Sequence, residues 1–293
     1  IGLDFTQQYI LKLGIIFLGI RLSFADLIKF GSIAIPLVIF CIVGVLILIK
    51  LLIKKVPISS KMSYLIAIGT SVCGATAIVA TAPVINAKKT EVAYAIANIT
   101  LFGVIAMIVY PYFAEWYFDN NAIEAGLFLG TAIHETSQVA AAGLIYDQQF
   151  NNPETLNVAT VTKLIRNTFL VILIPLFAFL YNRGEMKDKK YSILSIFPYF
   201  VLGFIGMIIF RNLGDQLFST ENNNFYIWSK FIEYLKILAT VFLTMAMAAV
   251  GISINLSELK SMGYKPFIVG LIAAGTVGII SLIYIESVKN FLF

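Results

Sequence analysis

His134, the only histidine of the chain, stands beside Glu135 in the string GTAIHETS (130–137). An imidazole titrates near neutral pH, so this pair suits proton carriage or the ligation of a polar substrate. Long apolar runs surround it, and ionisable groups at membrane depth are costly and usually functional. A packing reading stands beside the functional one: a helix cap in which Thr136 and Ser137 satisfy backbone donors. The order H-E-T-S-Q lacks the second histidine of a zinc protease, so neither a metal site nor a cofactor is expected.

A second string, GTSVCGAT (69–76), offers Thr70, Ser71, Cys73, Gly74 and Thr76 as a small, hydroxyl-rich turn without charge. With one half-helix starting near Gly74 and another near Glu135, free N–H groups would face a shared midplane cavity of partial positive charge, which suits an anion. Close packing through small residues explains either string taken alone. Lys163 and Arg166 are three apart and share a helix face. They either line the cavity and attract an anion or snorkel to the membrane boundary. Arg21 has the same two options and a third, pairing with Asp26, and Asn98 is a weaker candidate.

The elements that must position these residues are membrane helices. Of 293 residues 59% are apolar and only 13% charged, with a mean hydropathy of +0.90. Soluble domains carry about 25% charged residues, so there is too little polar side chain for a water-facing surface. That excludes an ordinary soluble enzyme. Few prolines and two cysteines inside or beside apolar runs, Cys41 and Cys73, also exclude disorder, a collagen-like repeat and a disulfide-stapled fold. Both thiols read as buried. The net charge of +5 forms no basic tract, so nucleic acid is not an expected partner. The first residue is Ile1 and no signal peptide pattern follows, which reads as a start inside a longer protein.

Apolar stretches fall at about 8–24, 32–53, 61–87, 92–114, 122–146, 156–182, 192–210, 231–254 and 265–285. Seven read as ordinary spans, while 61–87 and 122–146 are dense in Gly, Ala, Ser and Thr and read as broken. Lys50, Lys54, Lys55 and Lys61 precede the first broken stretch, Lys88 and Lys89 follow it, and Arg183, Lys187, Lys189 and Lys190 fill a hydrophilic linker. Glu115, Asp119, Glu124, Asp147 and Glu154 flank the second. Basic loops stay in the cytoplasm. Both ends of 61–87 are therefore inside and both ends of 122–146 outside, and each segment dips in and returns; two broken helices that cross are the alternative. Trp116 and Trp228 fit an interfacial belt.

Two internal matches favour an inverted arrangement. GIRLSFADLIKFG (19–31) aligns with GISINLSELKSMG (251–263), and GTSVCGATAIVA (69–80) with GTAIHETSQVAA (130–141). Inverted repeats with broken helices meeting near the midplane are the build of secondary transporters.

The strings LGIIFLGIRLSF, GTSVCGATAIVATAPVI, GTAIHETSQVAAAG, VTKLIRNTFL and AMAAVGISINLSELKSMGYKPF, in this order, resemble the bacterial YeiH-like family, classed as sulfate exporters. The similarity runs over essentially the whole chain. It implies efflux of an inorganic anion, sulfate or sulfite, across the inner (plasma) membrane, and further hydrophobic segments ahead of residue 1. Carried over by these strings, Arg21, Ser71, Cys73, Thr76, His134, Glu135, Ser137, Lys163 and Arg166 are the positions to expect at a site.

The expectation is an all-α polytopic membrane protein of about seven spanning helices plus two broken segments, with residues 1–293 forming one transporter domain. It is no enzyme. It would work by alternating access, holding a small oxyanion among Ser71, Cys73, Gly74, Thr76, His134, Glu135, Thr136, Ser137, Arg21, Lys163 and Arg166, with proton coupling through His134 or Glu135. Its partners would be the anion, the lipid bilayer and a second copy in a homodimer. A cation/proton antiporter and an anion channel are the alternatives.

Overall fold

The computed structural model describes residues 2–22, 24–52, 58–181, 199–218, 224–252 and 264–292. Among the described residues every regular element is helical: α1 (Leu11–Leu18), α2 (Phe24–Leu52), α3 (Ser60–Ser71), α4 (Ala75–Thr81), α5 (Lys89–Phe118), α6 (Ala122–Ala132), α7 (Thr136–Phe150), α8 (Pro153–Thr168), α9 (Leu170–Tyr181), α10 (Phe200–Leu217), α11 (Asn224–Ile252) and α12 (Tyr264–Leu292). Short helical turns over 2–10 and 19–21 flank α1. Among the described residues four helices are long and apolar enough to cross a bilayer: Ile28–Leu52, Lys89–Phe118, Pro153–Phe177 and Lys265–Lys289. Large apolar side chains such as Trp116, Ile28 and Leu217 are exposed along the helices, as a lipid-facing surface requires and a water-facing one does not tolerate. The chain is an all-α membrane protein. The linker cations at 183–190 and the string at 251–263, apart from its first two residues, lie outside the described residues.

The chain divides into two compact units, residues 1–32 with 198–254, and residues 33–197 with 255–293. In the first, α1 packs on α10 and α11 so closely that a Cβ on Gly19 would lie 2.4 Å from the Phe204 carbonyl oxygen. Trp228 fills the space over Gly214 and donates its indole N–H to Asp215 (2.8 Å), which also pairs with Arg211 (2.6 Å).

The second unit holds both broken segments, and each is a hairpin. Lys61 at the start of α3 donates to the Asn86 carbonyl just beyond α4 (2.7 Å), and Ser59 donates to Glu91. The ends of residues 59–91 therefore meet. Asn152 likewise donates to the backbone oxygen (3.1 Å) and side-chain oxygen (2.9 Å) of Asn120, joining the ends of α6–α7. Between the two mouths runs α5, 30 residues and about 45 Å long. One mouth sits at each end of it, marked by Lys61, Lys88 and Lys89 on one side and by Asp119 and Glu124 on the other.

Local sequence sets these turns. Ser59 caps α3, the Asn121 side chain accepts from the amides of Ile123 and Glu124 at the head of α6, and Pro153 opens α8 where its missing N–H costs nothing. The second hairpin straddles α8 through small residues. A Cβ on Gly126 would lie 2.5 Å from Val158 Cβ, one on Gly130 2.6 Å from Thr162 Cβ, and one on Gly143 2.8 Å from Leu156 Cδ1. That Gly-x-x-x-Gly spacing on α6 lets the two backbones approach, and it brings the middle of α8 up to the break.

Candidate functional site at the hairpin tips

The first tip forms because α3 stops at Val72 and Gly74 (φ +69°, ψ −127°) turns the chain into α4. A side chain resists that backbone conformation, so glycine is required. At the second tip α6 stops at Ile133, Glu135 is extended, and α7 begins at Thr136 with the Glu135 amide held by Gln138 Oε1 (3.2 Å). In the alignment of the two Gly-Thr strings, Val72 pairs with Ile133 and Gly74 with Glu135. Both breaks fall at matching positions.

Lys163 and Arg166 on α8 join the two tips. Lys163 Nζ donates to the carbonyls of Val72 (2.8 Å), Ile133 (3.0 Å) and His134. Arg166 donates to Ser71 O (2.7 Å), Ile133 O (3.1 Å), Thr131 O and Thr70 O. Both side chains are completely buried. The cause lies in the break itself: the last carbonyls of α3 and α6 have no partner within their own helices and carry the negative end of each helix dipole. Snorkelling, the alternative for these two residues, is not what they do. Among the described residues neither cation has a carboxylate within 4 Å. Two cations against one nearby carboxylate leave the region electropositive.

That carboxylate is Glu135. Its Oε1 accepts from the Ala75 amide (3.3 Å), and its Cγ packs so closely that a Cβ on Gly74 would lie 2.4 Å away. This corrects one expectation: the amide end of α4 is not free but capped by the opposite tip. Around it lie buried polar atoms without a hydrogen-bond partner: both ring nitrogens of His134, Ser71 Oγ and Thr70 Oγ1. Cys73 is a buried free thiol, as is Cys41. Ser137 is buried, and Thr136 Oγ1 accepts from Asn167 Nδ2 (3.0 Å).

Two expected residues fall elsewhere. Thr76 is exposed on α4 and makes none of these bonds, because residue 76 lies on the side of the helix turned from the tip. Arg21 belongs to the first unit, where it donates to Thr240 (2.9 Å); the side chain of Asp26, its alternative partner, lies outside the described residues. Asn98 is buried and donates to the Pro266 carbonyl (2.7 Å). Sequence reading missed Asn167, Gln138 and the buried Thr131–Ser281 hydroxyl pair (2.7 Å). For Asn167 a signal existed, since it stands four residues after Lys163 on the same face.

A family model described as conserved hypothetical protein 698 matches residues 1–270. The chain is 35% identical over 280 residues to a UPF0324 membrane protein of Streptococcus agalactiae, covering 95% of this chain and 80% of that one. It is 34% identical over 288 residues to one of Fusobacterium nucleatum (96% and 82%) and 31% identical over 294 residues to one of Clostridium tetani (96% and 80%). No solved structure matches. The YeiH-like resemblance leads to this same family, while the relatives' names assign no substrate. Matched along nearly its whole length and built as a helical membrane protein, the chain belongs to the conserved hypothetical protein 698 family, that of the UPF0324 membrane proteins.

Proposed function

We propose that this protein is a secondary active transporter that carries a small inorganic oxyanion, sulfate or sulfite, out of the bacterial cytoplasm by alternating access. The supporting observation is the pair of buried cations, Lys163 and Arg166, held between two opposed hairpin tips. In this reading each hairpin enters the inner membrane from one face and turns back near the midplane, as broken segments in secondary carriers do. Thr70, Ser71 and His134 supply unspent polar atoms to the anion. His134 and Glu135 couple its movement to protons, and the cations offset its charge. A cation/proton antiporter fits less well, because the carbonyl ends that would hold its ion are filled by the protein's own side chains.

Proteoliposomes loaded with radiolabelled sulfate or sulfite test this. Saturable flux above empty vesicles is expected, and Ser71→Ala should raise the half-saturating concentration about tenfold by removing one hydrogen bond to the anion. Flux equal to that of empty vesicles at every pH gradient would remove the oxyanion claim.

A further inference from the structure

Three backbone carbonyls converge on one nitrogen, Lys163 Nζ: Val72 O at 2.8 Å, Ile133 O at 3.0 Å, and His134 O. Val72 and Ile133 are matched positions in the two Gly-Thr strings, so each hairpin contributes the carbonyl of the residue that ends its first arm. Arg166 repeats the pattern two residues earlier, on the matched pair Thr70 and Thr131. An ammonium group has three donors, and all three of Lys163's are used on these oxygens. Such a cluster of unwound carbonyls at half-helix C-terminal ends is the kind of place where broken-helix carriers coordinate a small cation.

We propose that this carbonyl cage is a monovalent-cation site that the chain fills from within, the Lys163 ammonium standing where Na⁺, K⁺ or ammonium would otherwise bind. The native protein then holds a permanent cation between its tips and needs none from solution. The consequence for transport rests on the carrier reading, whereas the cage does not. An ordinary structural cap would behave differently when removed, since no dissolved ion would replace it.

Truncating the side chain separates these accounts. Lys163→Ala leaves the carbonyls in place and opens room for an ion, whereas Lys163→Met keeps the room filled without charge. Both variants and the wild type would be purified in N-methylglucamine chloride and titrated with NaCl, KCl or NH₄Cl at constant ionic strength. The tether no longer supplies the high local concentration of an attached group, so millimolar affinity is expected. The melting temperature of Lys163→Ala should rise saturably with at least one of these cations, by about 4 °C at ten times its dissociation constant. Wild type and Lys163→Met should not respond. A folded Lys163→Ala indifferent to the cation, one that fails to fold in every salt alike, or a wild type or Lys163→Met that responds as Lys163→Ala does would each overturn the cage. In proteoliposomes, wild-type sulfate flux should be unchanged when Na⁺ and K⁺ are replaced, and Lys163→Ala flux should appear only with the stabilising cation; cation-dependent wild-type flux would overturn the proposal. A normal melting response with no flux from either protein would remove the carrier reading and leave the cage standing.

Discussion

The two hairpins share a backbone plan and differ in what they carry on it. Matched residues end the first arms and begin the second, and matched carbonyls meet the same two cations. At the tip, however, Cys73 and Gly74 of the first stand opposite His134 and Glu135 of the second. Thr131 is satisfied by Leu127, Phe128 and Ser281, while its counterpart Thr70 has an unpartnered hydroxyl. The first arms α3 and α6 are both buried toward the tips, but of the second arms α7 runs 15 residues and buries 137–144, whereas α4 has only seven residues and exposes Thr76 and Val79. The second hairpin is thus a fixed wall that brings the ionisable groups, and the first is a lighter arm that brings glycine and hydroxyls. The difference teaches that one broken-helix plan can serve as scaffold or as adaptable partner, depending on how many small residues lock it to its neighbour.

The most severe way to break that relation is to remove what binds both hairpins at once. Arg166→Ala deletes donors to carbonyls on each tip and takes this donor from the buried oxygens of Thr70, Ser71 and Thr131, while Ile133 O keeps Lys163. A cost of about 3–5 kcal/mol is expected, read as lost monodisperse protein in detergent or a lowered unfolding midpoint. Hydrogen-exchange protection should fall around 70–72 and 131–133 together; loss confined to one tip would show that the hairpins are held independently. Arg166→Lys should recover only part, because a point charge cannot reach carbonyls spread along both tips.

A gentler comparison applies the same substitution to each hairpin. Gly126→Ala places a methyl group 2.5 Å from Val158 Cβ and 2.9 Å from the Thr155 carbonyl, neither of which can rotate away. In Gly69→Ala the nearest atom is Ile78 Cδ1 at 2.8 Å, the end of a flexible side chain. The expected costs are about 2–3 kcal/mol for the second hairpin and about 1 kcal/mol for the first, measured by thermal unfolding in one detergent. Equal costs would mean that the second hairpin is no more firmly locked than the first.

Much of this organisation is legible in the sequence. Small residues mark both breaks, lysines and acids mark the two mouths, and the spacing of Lys163 and Arg166 places them on one face. The internal match even carries the correct register, since the paired residues Val72 and Ile133 both end helices. What the cations bind was not legible. The carbonyls they take become orphans only when two breaks distant in sequence face each other, and nothing in the composition of α8 reports that. The same reason hides the cap on Ala75, whose acceptor lies 60 residues away. Thr76 was misplaced because a hydroxyl in a motif carries no information about which side of a seven-residue helix it occupies. Four helices among the described residues have the length and apolarity of spans, and of the about seven expected, stretches such as 192–210 fall partly outside the described residues.

The finest test concerns the contact between the tips. Gly74 has a positive φ that disfavours any side chain, and Glu135 lies against the face where a Cβ would project. Gly74→Ala therefore suffers twice, from backbone strain of about 1–2 kcal/mol and from collision with the carboxylate side chain. Glu135→Ala relieves only the second of these while it uncaps the Ala75 amide. A double-mutant cycle should give a coupling of about 1 kcal/mol, the pair costing less than the sum of the single changes. The strain is local to the first hairpin and the collision belongs to both, so the coupling energy isolates how tightly the light arm is pressed against the fixed wall. A coupling near zero would mean that the tips part readily, with Glu135 moving aside at little cost.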